Sequence, residues 1–97
     1  MWVRLTSVKM DPVGLDQARA LYNSEEVSGA IRSHKGYRFH HLLESSDSPG
    51  EAISLTAWDS LEDGQVYEQS GVYAELVGKF SQWFTSPPEL KSYEVHE

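Results

Sequence analysis

The chain has 97 residues, of which 39% are hydrophobic and 24% charged, a balance typical of one folded domain spanning residues 1–97. Its formal net charge is −7, so neither nucleic acid nor an anionic membrane is an expected partner. It has no cysteine, which excludes disulfides, thiolate metal sites and cysteine nucleophiles. No apolar run reaches the length of a membrane span and the first residues lack a signal-peptide pattern, so we expect a cytoplasmic protein.

The first half of the chain predicts a strand, a helical segment and a second strand. Residues 2–10 alternate and are rich in Val, Leu and Thr, which indicates a strand, and the Pro and Gly of residues 11–14 predict a turn. Residues 15–33 carry apolar side chains at helical spacing. Asn23 and Ser24 compete for backbone hydrogen bonds and are expected to divide this segment into two shorter helices, which end at Gly36.

The second half begins with two strands that form a hairpin. Residues 37–44 and 52–58 predict the strands, and the turn-forming residues 45–50 join them. Ser60, with Asp63 three residues later, predicts the start of a second helical segment, in which Gly71 introduces a kink or a break. Two prolines end this helix, and residues 89–95 predict a last strand.

The resulting order, β-α-β-β-α-β, predicts a ferredoxin-like α+β fold with one antiparallel sheet and both helical segments on one face. The other face of the sheet is then uncovered. An apolar uncovered face would be a large exposed patch on a chain of this size. We therefore expect a homodimer in which two such faces meet.

Period-2 alternation groups the strand residues by face. Ile53, Leu55 and Ala57 form the apolar set of their strand, and we expect this set to face the helices. Pairing Leu43 with Ile53 and Phe39 with Ala57 adds the second strand to the same side. The opposite, uncovered face would then combine apolar and polar side chains, as a small-molecule pocket does. Its predicted members are Arg4, Thr6, Arg38, His40, Thr56 and Trp58.

Residues 54–63, which read Ser-Leu-Thr-Ala-Trp-Asp-Ser-Leu-Glu-Asp, are followed by Tyr-Glu-Gln-Ser at 67–70 and by Tyr73. This pattern resembles the antibiotic biosynthesis monooxygenase domain family. The Lys-Gly-Tyr junction at residues 35–37 and the turn at residues 11–14 are also similar to that family. The resemblance spans nearly the whole chain. It implies a dimeric α+β barrel, with a pocket either between each sheet and its own helices or at the dimer seam.

The resemblance separates the branches of the family. Haem-degrading members have an Asn on the first strand, a Trp on the second helix and a His about ten residues later. Here the first strand has no Asn, Tyr67 stands at the Trp position and the His position falls near Val77. The resemblance therefore implies no haem degradation, and we expect no cofactor. The spacing of His and Glu residues also predicts no metal site.

The unperturbed pKa of a histidine is about 6.5, which would suit His40 to the role of general base, although a structural hydrogen bond is the commoner use of a sheet histidine. A one-residue slip in register would put His41 in its place. Trp58 lines either a pocket or a dimer interface, and Arg4 either orients a phenolate or forms a salt bridge. We predict His40 and Tyr67 as catalytic residues. We predict as substrate-binding residues Arg4, Thr6, Arg38, Thr56, Trp58 and Tyr73.

Two functions remain open at this stage. One is a cofactor-independent monooxygenase acting on a small aromatic phenol or quinol, which needs a dry pocket, a base and a group that orients an oxyanion. The other is a non-enzymatic homodimer of the same fold that binds a small molecule or serves as an interaction module. An enclosed cavity with converging polar groups would favour the first.

Overall fold

The computed structural model describes residues 1–96. Four strands form a single sheet, in the order β2-β3-β1-β4, with every neighbouring pair antiparallel. This is the order of the ferredoxin-like fold, so the predicted fold class is confirmed. The strands are β1 (Trp2–Lys9), β2 (Tyr37–Glu44), β3 (Glu51–Trp58) and β4 (Glu89–Glu94).

Each predicted helical segment is a pair of helices. Ser24 begins the second helix of the first pair, and Ser70, whose hydroxyl accepts from the Tyr73 N–H, begins the second helix of the other. The sequence predicts the first break at Asn23-Ser24 and a kink or break at Gly71, and in the structure each break lies at a serine, a residue that favours helix N-caps. The helices are α1 (Pro12–Tyr22), α2 (Glu25–Arg32), α3 (Leu61–Gln69) and α4 (Gly71–Phe80), followed by a 3₁₀ turn (Ser81–Trp83).

The start of the first helix differs from the prediction. Residues 11–14 are not a separate turn, because α1 already begins at Pro12. Asp11 is its N-cap and accepts a hydrogen bond of 2.8 Å from the Gly14 N–H. Proline is favoured in the first turn of a helix, where its missing N–H has no partner to lose. The Asp-Pro pair therefore starts the helix rather than preceding it.

The predicted register of the central hairpin is confirmed. Leu43 pairs with Ile53, and Phe39 pairs with Ala57. The pairing shifts by one residue between Tyr37 and Phe39, so Tyr37 stands opposite Trp58 on β3. Arg38 lies at this irregularity.

The predicted sides of the sheet are inverted. Residues predicted for the open face contact the helices instead: Thr6 lies 3.3 Å from the Tyr73 hydroxyl of α4, and His40 bonds Ser28 of α2. Alternation then puts the opposite set on the uncovered face. The prediction of a helix-facing side was therefore wrong for Phe39, Leu43, Ile53, Leu55 and Ala57.

The inversion has a physical reason. Alternation shows which residues share a face, but it does not show which face the helices cover. The helices cover the more apolar set only when aliphatic side chains alone fill the core. Here the helices bring Tyr22 and Tyr73 to the sheet, and Ser54 and Thr6 hydroxyls beneath them accept or donate hydrogen bonds. The uncovered face consequently keeps aliphatic and aromatic side chains in contact with solvent, and Leu43 is 45% exposed.

Two groups of buried side chains hold the helices on the sheet. The larger one joins α1, α2, α3 and α4 to β3 around Trp58, which is 1% exposed. The smaller one lies at the other end of the sheet, where Met10, Leu15, Ala18 and Ala52 meet. Within residues 1–96, no helix combines the length and hydropathy that crossing a bilayer requires.

Candidate functional site

A cavity of about 70 Å³ lies between the sheet and the helices, where the two core groups meet. At roughly 10–15 Å³ for each water-sized position, it has room for a small organic molecule. Its walls are mostly apolar, and all four helices contribute to them. The apolar lining includes Val8, Leu15, Val27, Leu42, Leu76 and Phe80.

Hydroxyl groups supply the polar part of the cavity wall. Thr6 and Ser54 are cross-strand neighbours on the sheet floor. The Tyr73 hydroxyl lies 3.3 Å from the Thr6 hydroxyl, and the Tyr22 hydroxyl lies 2.9 Å from that of Ser54. Tyr22 also donates to the backbone carbonyl of His41 at 3.2 Å. These four hydroxyls therefore already have partners within the protein.

Tyr67 is the exception in this wall. Its side chain is only 4% exposed and lines the cavity, yet its hydroxyl has no hydrogen-bond partner among residues 1–96. No side-chain nitrogen or oxygen in the described residues is both fully enclosed and unpaired, so this hydroxyl is reached through the cavity. The arrangement leaves one donor free for a molecule bound there.

Tyr22 and Tyr67 are held in their neutral form. Burial, and to a lesser extent the neighbouring Tyr73 and Tyr22, raise the pKa of Tyr67 well above its usual range. Burial also raises the pKa of Tyr22 to about 12, although the Ser54 hydrogen bond opposes the change. Near neutral pH both groups are therefore hydrogen-bond donors rather than bases.

Three aromatic rings fix the position of Tyr67. Trp58 stacks on it at 4.8 Å between centroids, and His34 and Tyr73 meet it edge-on at 4.8 and 5.4 Å. The Trp58 indole N–H in turn donates to the Thr56 hydroxyl at 3.0 Å. Thr56 and Trp58 thus lie behind the cavity wall and support Tyr67.

His40 faces the helices, as the predicted register requires, but it does not line the cavity. Its Nδ1 lies 2.6 Å from the Tyr37 hydroxyl, and its Nε2 lies 3.1 Å from the Ser28 hydroxyl. Ser28 donates its own proton to the Tyr22 carbonyl, so His40 donates from Nε2 and accepts at Nδ1. Burial, followed by the Arg32 charge, lowers the pKa of His40. His41 lies exposed on the other face.

The two predicted arginines also lie outside the cavity. Arg4 forms a salt bridge with Glu68 of α3 and a hydrogen bond with Ser92 of β4, beside a much smaller cleft. Arg38 lies 3.7 Å from Asp59, and both side chains are at least half exposed. Both guanidinium groups therefore have carboxylate partners.

The structure brings together three of the predicted site residues, Thr6, Tyr67 and Tyr73, at the cavity. It does not bring the other five to the same wall. Sequence reasoning missed Tyr22 and Ser54. Tyr22 was treated as part of an apolar helix face, although its phenol group was a signal for a polar role. In residues 1–96, no three His, Asp or Glu side chains are grouped to hold a metal ion.

No protein-family model and no curated protein matches the chain. Solved structures do match. A monooxygenase from Streptomyces coelicolor, solved in complex with nanaomycin D, has a TM-score of 0.85 at 19% identity, over 99% of this chain and 88% of that one. A candidate antibiotic biosynthesis monooxygenase from Deinococcus radiodurans has a TM-score of 0.81 at 15% identity, over 100% and 94%.

A candidate antibiotic biosynthesis monooxygenase from Nitrosomonas europaea matches over 98% of each chain, with a TM-score of 0.78 and 16% identity. At these identities the likeness concerns the fold. The chain has the fold of solved antibiotic biosynthesis monooxygenases along almost its whole length, and the resemblance predicted from the sequence is confirmed at that level.

Proposed function

We propose that this protein, which shares the fold of those monooxygenases, binds a small aromatic phenol or quinol in its cavity and oxidises it with O2 without a cofactor. The observation that carries the proposal is the largely apolar, partly open cavity with the free Tyr67 hydroxyl. The nanaomycin D complex of the Streptomyces coelicolor protein is consistent with an aromatic ligand at a site of this fold.

The proposed reaction needs no external reductant, because the substrate supplies all the electrons. The phenol passes its hydroxyl proton to O2 together with an electron, and the resulting phenoxyl and hydroperoxyl radicals combine at the ring carbon para to the oxygen to give a hydroperoxide. Loss of water then leaves a quinone. One oxygen atom of O2 enters the product and the other leaves as water, so a phenol with a free para position gives a quinone and one H₂O.

In this reaction the cavity would act by excluding water and by stabilising charge on the phenolic oxygen. Tyr67 donates a hydrogen bond to that oxygen, where negative charge develops as the proton is lost. Tyr73 and Thr6 form the neighbouring wall, with Trp58 and Thr56 as support for Tyr67. His40 has both ring nitrogens engaged and Arg4 is paired with Glu68, so the proposal assigns no proton transfer to either.

The proposal includes a homodimer formed by the uncovered sheet faces. That face presents Phe39, Leu43 and Tyr93 to solvent, each at least one-third exposed, and they adjoin further apolar side chains of β1 and β3. A contiguous apolar surface of this kind marks an interaction site on a small protein. The cytoplasmic location expected from the composition stays a prediction.

The test uses 1-naphthol, whose para position is free, and follows O2 uptake together with formation of 1,4-naphthoquinone. We expect turnover that a metal chelator leaves unchanged. Tyr67→Phe should lower the rate by about 10²–10³-fold, the usual effect of removing one donor to a developing oxyanion. Tyr37→Phe is the matched control, since its hydroxyl bonds His40 outside the cavity. O2 uptake at the protein-free rate with 1-naphthol bound would refute the enzymatic proposal.

The second candidate is a non-enzymatic protein that binds the same class of small molecule. A specific observation favours it: within residues 1–96, the cavity lining contains tyrosines but no His, Asp or Glu side chain that could act as a general base. Binding of 1-naphthol with saturation but without turnover would support this function instead.

A further inference from the structure

The cavity has one feature that selects among ligands. Four of its hydroxyls bond to one another in two pairs, Tyr73 with Thr6 and Tyr22 with Ser54. The Tyr67 hydroxyl has no hydrogen-bond partner among residues 1–96, and the residue is only 4% exposed. A bound molecule therefore meets one hydroxyl, that of Tyr67, that makes no hydrogen bond within residues 1–96, with mostly apolar surface around it.

The free hydroxyl is also fixed in direction. The Tyr67 ring is stacked on Trp58 and meets His34 and Tyr73 edge-on, and these contacts hold its hydroxyl at the cavity wall. Thr56 accepts from the Trp58 indole N–H and holds the stacking surface in place. A donor held in one position binds most tightly a ligand whose acceptor oxygen lies at the matching position.

The wall carries no compensating positive charge. Among residues 1–96, no Lys or Arg side chain is part of the cavity lining, and Arg4 is paired with Glu68 beside a separate cleft. The desolvation free energy of an ionised carboxylate in such a cavity is far larger than the stabilisation from one hydrogen bond to a neutral donor. A neutral carbonyl oxygen has no such cost and accepts from a phenol.

We infer that Tyr67 is the specificity-determining residue of the cavity, and that it selects uncharged aromatic carbonyl compounds, aryl ketones and quinones, over their hydrocarbon and carboxylate analogues. The inference rests on the ligand cavity of the proposed function. It adds that the ligand has one acceptor oxygen toward Tyr67 and no ionised group within the cavity.

The test compares three probes of nearly equal shape: acetophenone, α-methylstyrene, in which a CH₂ replaces the carbonyl oxygen, and benzoate. Their dissociation constants are measured by NMR titration at neutral pH. We expect acetophenone to bind at least about fivefold more tightly than α-methylstyrene, the least that a hydrogen bond to an otherwise unpaired buried donor contributes. Benzoate should bind at least about tenfold more weakly than acetophenone.

Tyr67→Phe should abolish the preference for acetophenone over α-methylstyrene and leave the hydrocarbon affinity nearly unchanged. Tyr37→Phe, which removes a hydroxyl outside the cavity, should keep the preference. The inference is overturned if Tyr67→Phe retains the preference, if benzoate binds as well as acetophenone, or if no probe binds the wild-type protein up to about 10 mM, a free energy near −3 kcal/mol.

These outcomes are distinct from a failure of the proposed function. Selective acetophenone binding without O2 uptake on 1-naphthol would end the enzymatic proposal and leave the specificity of Tyr67 standing. Turnover of 1-naphthol with no difference between acetophenone and α-methylstyrene would do the reverse.

Discussion

The indole ring of Trp58 lies against the phenol ring of Tyr67, with 4.8 Å between their centroids and 28° between their planes. This pair connects the sheet to the cavity. Trp58 is the last residue of β3, and Tyr67 lies on α3. The strand and the helix that follows it therefore position the Tyr67 hydroxyl together. The geometry of the cavity donor therefore depends on residues that do not touch a ligand.

Thr56→Val should destabilise the protein. The valine has nearly the shape of threonine but leaves the buried Trp58 N–H without its acceptor, which costs about 1–3 kcal/mol. Chemical denaturation measures the change. Thr85→Val, at an exposed position of the chain, is the control and should change the free energy of unfolding by less than about 0.5 kcal/mol. Equal effects of the two variants would contradict the supporting role of Thr56.

Two Tyr→Phe variants in the same cavity should differ in stability. Tyr22→Phe removes the partner of the Ser54 hydroxyl and a bond to the His41 carbonyl, so it should lower the free energy of unfolding by about 1–3 kcal/mol. Tyr67→Phe removes a hydroxyl that has no protein partner among residues 1–96, so it should be neutral or stabilising. Thermal unfolding of the ligand-free protein checks both. Destabilisation by Tyr67→Phe as large as that by Tyr22→Phe would show that the hydroxyl has a structural partner.

The uncovered sheet face should be the dimer interface. Leu43→Glu puts a charge into that face and should shift the protein toward the 11.0 kDa monomer mass in light scattering. Val66→Glu is the matched control, because Val66 is 61% exposed on α3, away from the sheet. A wild-type protein that is monomeric at micromolar concentration, or a Leu43→Glu variant that remains dimeric, would be evidence against this interface.

Acid should destabilise the fold partly through His40. Its pKa in the folded protein lies below the ordinary value of about 6.5 because burial, then Arg32, disfavours the charged ring. Below about pH 6.5 the unfolded chain thus binds a proton that the folded chain does not, and the free energy of unfolding falls as the pH drops. His40→Gln should flatten this part of the stability profile. A variant with the wild-type slope would exclude His40 as its source.

The element order, both helix breaks and the hairpin register could be predicted because they depend on local signals. Asn23-Ser24 and Ser70-Gly71 break their helices for reasons that act within a few residues, and the pairing of Leu43 with Ile53 follows from strand alternation. Which face the helices cover is not local. It depends on where the tyrosines of α1, α3 and α4 meet the sheet.

The candidate site was predictable only in part for the same reason. Thr6, Tyr67 and Tyr73 were identified because they share a face or a motif with Trp58. Tyr22 and Ser54 were missed because their hydrogen bond joins residues 32 positions apart in the sequence. His40 was expected at the cavity because of its face alone. A strand residue on the covered face lines the cavity only if it also lies under the open space between the helices. His40 lies under Ser28 instead.

A crystal structure of the protein with bound 1-naphthol tests the central claim most directly. The account predicts the naphthalene rings within the cavity beneath α1 and α4, with the ligand oxygen about 2.7 Å from the Tyr67 hydroxyl. A ligand seated only on the uncovered sheet face or beside Arg4, with the cavity empty and the Tyr67 hydroxyl still without a partner, would contradict it.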